Sequence, residues 1–147
     1  MESIQHESVE FKTECHKLRA TLFANMCLCQ QKLSKFADSV KKGQEAIGIL
    51  KDNNIVEDEL KAKIYSRMVK SLVSLKKYDE AVRVGQEGVE SIKDGTVIQK
   101  EVVKAKQLLK EEEEKKREMY KKMMTGSFRG DSGRGAAGNE AEDAKGL

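Results

Sequence analysis

The segment Lys35–Ile47, KFADSVKKGQEAI, is written a second time at Lys77–Val89 as KYDEAVRVGQEGV. Phe36 answers Tyr78, Asp38 answers Glu80, Val40 answers Val82, and Gly43-Gln44-Glu45 returns as Gly85-Gln86-Glu87. Each pair is 42 positions apart. An internal echo of that length is the mark of a repeated supersecondary unit that covers its apolar face only by stacking on its neighbour. The question is what kind of unit this is.

Apolar spacing says helix. Phe11, Cys15, Leu18, Leu22, Met26, Cys29 and Leu33 follow at intervals of four, three, four, four, three and four, a stripe on a helix of 3.6-residue period. Ser34 and Lys35 interrupt it, and a second helix is expected from Phe36 to Leu50. KDNN at Lys51–Asn54 reads as a turn, because Asp and Asn tolerate turn conformations. A third helix carries Leu60, Ile64, Met68, Leu72 and Leu75 on one face. Tyr78 opens a fourth, expected to stop near Asp94-Gly95 with the glycine in a left-handed cap. From Thr96 to Met124 a long charged helix presents Ile98, Val102, Ala105, Leu108 and Leu109, followed by Glu111–Glu114 and KKREMYKKMM.

Composition agrees with an all-α fold. Charged residues make up 36% and aromatics 5%, and there is no Pro or Trp, which argues against a β-sandwich or barrel. A formal charge of +3 implies no broad basic surface for nucleic acid. No apolar run approaches the roughly 20 residues that span a bilayer, and MESIQHESVEF lacks a secretory pattern. A soluble, cytoplasmic chain is expected. Cys15, Cys27 and Cys29 suit reduced thiols, and with His16 they match no common zinc spacing. No cofactor is implied. The expected organisation is residues 1–95 as paired helices, 96–124 as a charged capping helix, and 125–147 as a glycine-rich tail too poor in apolar residues to order.

In register, Leu33, Phe36, Ser39, Gly43 and Ala46 align with Leu75, Tyr78, Ala81, Gly85 and Gly88. Small residues let paired helices approach closely. This small/aromatic pattern resembles the tetratricopeptide repeat, whose period is usually about 34 residues. The excess of eight is a little over two helical turns and fits into longer helices around ILKDNNIVEDEL. The resemblance implies antiparallel helix hairpins stacked as a solenoid, capped by the C-terminal helix. A solenoid usually needs about three such units, so the face of the first helix around Phe11–Leu18 is expected to lie partly uncovered.

Asn25 on the first helix is matched 42 residues later by Arg67, and Lys63 precedes Arg67 by one turn on the same face. An amide, an ammonium and a guanidinium are donors suited to carboxylates. LFANMCLCQQKL and KIYSRMVKSLVSLKKYDEA look like the second and third repeats of tetratricopeptide co-chaperones. Members of that family grip the C-terminal EEVD peptide of seventy- and ninety-kilodalton heat-shock chaperones in a carboxylate clamp. The resemblance assigns Asn25, Lys63 and Arg67 to the clamp. The family's further Lys and Asn, from a first repeat, have no counterpart here, so a partial clamp is implied.

IQKEVVKAKQLLKEEEEKKREMYKKMM is similar to the extension that follows the repeats in large immunophilins, of the macrolide-binding and forty-kilodalton cyclophilin types, with Tyr120-Lys121-Lys122-Met123 as the Tyr-x-x-Met motif. Those proteins are peptidyl-prolyl isomerases through a β-rich domain ahead of the repeats. Nothing here reads as a strand, so this chain by itself is not expected to be an enzyme; a longer parent protein could carry an isomerase domain, which the sequence leaves open. Two rival readings stand beside the clamp. KKREMYKKMM has the makings of a calmodulin target or an anionic-membrane helix, and the groove has those of a plain helical scaffold.

Overall fold

Ser34 and Lys76 are 42 residues apart, and both take φ 61, the left-handed region that few non-glycine residues adopt. The computed structural model describes residues 2–126, with side chains from residue 8. Among these the chain is all-helical, with five helices and no strand: α1 Glu2–Lys32, α2 Phe36–Asp52, α3 Asp58–Ser74, α4 Tyr78–Ser91 and α5 Thr96–Met124. The expected tail, apart from Thr125 and Gly126, lies outside the described residues.

The turn from α1 to α2 is rebuilt bond for bond between α3 and α4. Leu33 N–H donates to Cys29 C=O at 3.0 Å, and Leu75 N–H to Ser71 C=O at 3.0 Å. Lys35 N–H reaches Gln30 C=O at 2.8 Å, as Lys77 N–H reaches Leu72 C=O at 2.9 Å. Lys35 and Lys77 then open the next helix with φ −91, ψ 68 and φ −94, ψ 68. The 42-residue echo is therefore an echo of backbone geometry as well as of side chains.

Small residues on α2 and α4 set how closely the helices approach. Ser39, Gly43 and Ala46 are buried, as are Ala81, Gly85 and Gly88. A Cβ on Gly43 would stand 2.4 Å from Met68 Cγ on α3 and 3.6 Å from Cys27 Sγ on α1. One on Gly85 would stand 2.4 Å from Val102 Cγ2 on α5 and 3.3 Å from Val69 Cγ2 on α3. Cys27 and Val69 are again 42 apart, so each glycine faces its own helix partner and the next helix in the same way. α5 thus covers α4 much as α3 covers α2.

The chain falls into a unit of Met1–Leu109 and a second that begins at Lys110. The first holds the core, with Leu50, Ile64, Tyr65, Met68, Ile98 and Val102 in one cluster and Val40, Val69, Leu72, Ala81 and Ala105 in another. Tyr65 of α3 packs against α4. A Cβ on Gly88 would touch its ring at 2.7 Å, and its hydroxyl donates to Glu87 Oε2 at 3.0 Å. Burial pushes the Tyr65 phenol up to about 12. In the second unit the described part of α5 is largely exposed, with Lys116 and Glu112 paired at 3.6 Å.

Two sequence expectations change. α4 stops at Ser91, not near Asp94, because Ile92 swings to an extended φ −127, ψ 159 and buries its side chain. Gly95 is no left-handed cap; it lets the chain pass Val89, whose Cα would be 3.1 Å from an added Cβ. Asp94 instead caps α5, accepting from Thr96 N–H and Oγ1–H, which holds its carboxyl below the usual range. The second change is one of extent on α1, where the expected uncovered face around Phe11–Leu18 continues to Leu33. The buried face of α1 is Ala20, Ala24 and Cys27, whereas Phe11, Leu18, Leu22, Met26 and Leu33 are all exposed.

Candidate functional site

The side chains at Lys63, Ser66, Arg67 and Lys70 follow one another along one face of α3, at spacings of three, one and three. That face lines a cavity of about 490 Å³ together with Leu28, Gln31 and Lys32 of α1 and Phe36 at the start of α2. Four of the eight lining residues are cationic and none is acidic. Water-facing cations at such spacing repel one another, and an anion bound among them relieves that repulsion.

Arg67 is the anchored member. Its Nη1 donates to the C=O of Ala24 on α1 at 2.7 Å, in a half-buried position. One of the five guanidinium donors is thereby committed, and the bond holds the planar fork at the junction of α1 and α3. Lys63 is exposed and acts as the mobile point charge expected of an ammonium. Lys70 sits 3.4 Å from Glu101 Oε1 on α5, and the same oxygen accepts from Ser66 Oγ at 2.8 Å. Glu101 therefore holds the far edge of the groove.

Of the three residues expected at a carboxylate site, Lys63 and Arg67 line the cavity and Asn25 does not. Asn25 is exposed on α1, next to the Ala24 whose carbonyl receives Arg67. It continues the row of Leu28 and Lys32 one turn further toward the N-terminus. Lys32, Ser66 and Lys70 were missed in the sequence. Lys70 was legible, being seven residues from Lys63 and three from Arg67 on the same helix. Lys32 was not, because only the packing of α1 on α3 brings it to the groove.

The cysteines have separate settings. Cys27 is buried, and Cys15 and Cys29 are exposed. Ser39 Oγ donates to Cys27 C=O at 2.7 Å and lies 3.2 Å from its sulfur, while Ser71 Oγ donates to Ser39 Oγ at 3.2 Å. This buried polar chain ties α1, α2 and α3 together. Burial pushes the Cys27 thiol up, which makes it a poor nucleophile. Among the described residues no three His, Cys, Asp or Glu side chains gather as a metal set. No helix among them is long and apolar enough to cross a membrane. Comparison with protein-family models, with curated proteins and with solved structures finds no match.

Proposed function

We propose that this chain is a helical-repeat adaptor of the tetratricopeptide type, with antiparallel hairpins α1–α2 and α3–α4. In this reading its groove docks the acidic C-terminus of a partner, the EEVD tail of a heat-shock chaperone being the model ligand. The observation that carries this reading is the groove itself: Lys32, Lys63 and Arg67 with no acid lining the cavity, Lys70 paired with Glu101 at its edge, and Arg67 held in place by Ala24. The repeated turns at Ser34 and Lys76 and the paired glycines support the repeat architecture. Such a module binds and acts through what it brings together. The immunophilin resemblance of α5 supports a place beside an isomerase domain.

A peptide carboxylate would be gripped by Arg67 as a fork and by Lys63 as a point charge, with Asn25 at the rim. Charge-assisted hydrogen bonds of this kind contribute about 1.5–3 kcal/mol each, or roughly ten- to 150-fold in affinity. The test is calorimetric titration of a peptide ending in EEVD, free and C-terminally amidated, against the intact chain. Expected results are binding that weakens as salt rises, a marked loss on amidation, and losses of that size for Arg67→Gln and Lys63→Ala. Lys121→Ala, outside the cavity, serves as the unaffected control. Equal binding of free and amidated peptide, or a silent Arg67→Gln, removes the clamp and leaves a helical scaffold.

A further inference from the structure

The uncovered face of α1 is a helix-packing face by the chain's own register. Leu18, Leu22, Met26, Cys29 and Leu33 stand 42 residues before Leu60, Ile64, Met68, Ser71 and Leu75 of α3. On α3 that face is in use, with Met68 against Gly43 and Ser71 bonded to Ser39. On α1 the same face is left exposed, its apolar side chains ranging from 43% exposed at Met26 to 70% at Phe11. At 3.6 residues per turn the stripe from Phe11 to Leu33 stays within about 40° of one line, opposite Ala20, Ala24 and Cys27. It runs for about 33 Å.

Two features say what covers it. The first is the spacing: four, three, four, four, three, four reads the same in both directions and is centred on Leu22. It is an eleven-residue repeat taken twice, so the stripe drifts by only about 20° per repeat, which suits a slight right-handed supercoil. Turned end for end, a second copy sets Phe11 against Leu33, Cys15 against Cys29, Leu18 against Met26, and Leu22 against itself. The second feature is charge. From Lys17 to Lys32 the charged residues of α1 are all basic, whereas Glu10 and Glu14 lie in the preceding turns. Glu14 and Lys32 occupy the same flank of the stripe, and end-for-end pairing brings them within about 3 Å of rise of each other. Lys12 and Gln30 meet likewise on the other flank. The helix dipoles also oppose.

We propose that α1 is a self-association surface, and that two copies of this chain pair through antiparallel α1 helices about a two-fold axis at Leu22. An isologous contact of this kind closes on itself and builds no filament. It shares Lys32, at the edge of both surfaces, with the peptide groove, which otherwise uses other residues of α1 and α3.

The exposed thiols supply the decisive test. Within one copy, Cys15 and Cys29 lie fourteen residues apart on one helix, about 21 Å, far beyond the roughly 7 Å between Cα atoms that a disulfide tolerates. A bond between them must join two copies. The full chain is followed by sedimentation equilibrium over a wide concentration range, then oxidised with copper–phenanthroline and oxygen. The oxidant takes two protons and two electrons for each bond formed. The product is mapped by peptide mass spectrometry. The expected result is a concentration-dependent dimer whose crosslinks are Cys15–Cys29. Leu22→Glu sets two charges against each other in the apolar seam and is expected to weaken the dimer at least about tenfold. Its helical circular dichroism should stay unchanged, because Leu22 is already exposed in the single copy. Crosslinks of Cys15 to Cys15 and Cys29 to Cys29 mean a parallel pair and overturn the proposal. So does a chain that remains monomeric at every concentration, or a dimer indifferent to Leu22→Glu.

Discussion

Alanine at Gly85 and at Gly48 should move stability in opposite directions, although both glycines are helical. Replacing a mid-helix glycine with alanine gains about 1 kcal/mol from backbone entropy when the site is open. Gly48 on α2 is open: a Cβ there meets nothing within 4 Å, and the position 42 residues later already carries the side chain of exposed Glu90. At Gly85 the Cβ would sit 2.4 Å from Val102 Cγ2. Val102 is fully buried and, being β-branched, has essentially one rotamer available in a helix. Relief therefore requires α4 and α5 to move apart. Overpacking of this kind costs about 1–3 kcal/mol, and the direct clash with stiff, buried neighbours favours the upper half of that range. Net of the entropy gain, Gly85→Ala should lose about 1–2 kcal/mol while Gly48→Ala gains about 1. The two variants should then melt roughly 5–10 °C apart. Urea unfolding followed by helical circular dichroism reads this directly. Adding Val102→Ala to Gly85→Ala should recover about 1–2 kcal/mol relative to the sum of the single changes. A Gly85→Ala variant as stable as Gly48→Ala would show that α5 does not pack on α4 as described.

The Tyr65 phenol ionises near its ordinary 10 in the unfolded chain and at about 12 in the fold. The fold thus favours the protonated form, so this contribution is complete below pH 10 and is lost as pH rises from 10 through 12. The loss amounts to at most about 2.7 kcal/mol. Unfolding measured across that range for the natural chain and for Tyr65→Phe should show the difference between them shift by that order; a flat difference would place the hydroxyl in water. Ser39→Ala leaves the buried Ser71 hydroxyl without its acceptor and should cost about 1–2 kcal/mol. Ser39→Ala with Ser71→Ala should recover part of that loss in a double-mutant cycle, since Ala81 occupies the matching position of the second pair. Full additivity would mean that the two hydroxyls are not coupled.

Much of the fold was legible because repetition and periodicity are local in the chain. The echo of Lys35–Ile47 in Lys77–Val89 located α2 and α4, and the spacing of Ile64, Met68 and Leu72 marked the face that α3 buries. Even the start of α5 at Thr96 could be read. The stop of α4 could not, because a buried Ile92 outweighed the glycine as the point where the helix ends. On α1 the larger apolar residues of the stripe, Phe11, Leu18, Leu22, Met26 and Leu33, lie in the open while Ala20, Ala24 and Cys27 are packed. Hydrophobicity alone ranks Leu22 above Ala24, but helices approach closely only where side chains are small, and that preference depends on what stands opposite. The groove divides in the same way. Lys63, Arg67 and Lys70 share a face by helical spacing, whereas Lys32 joins them only because α1 packs on α3. Spacing along the chain determines which residues share one side of a helix. Which side is covered, and which charges from different helices meet, depends on distances between elements that the chain order does not encode.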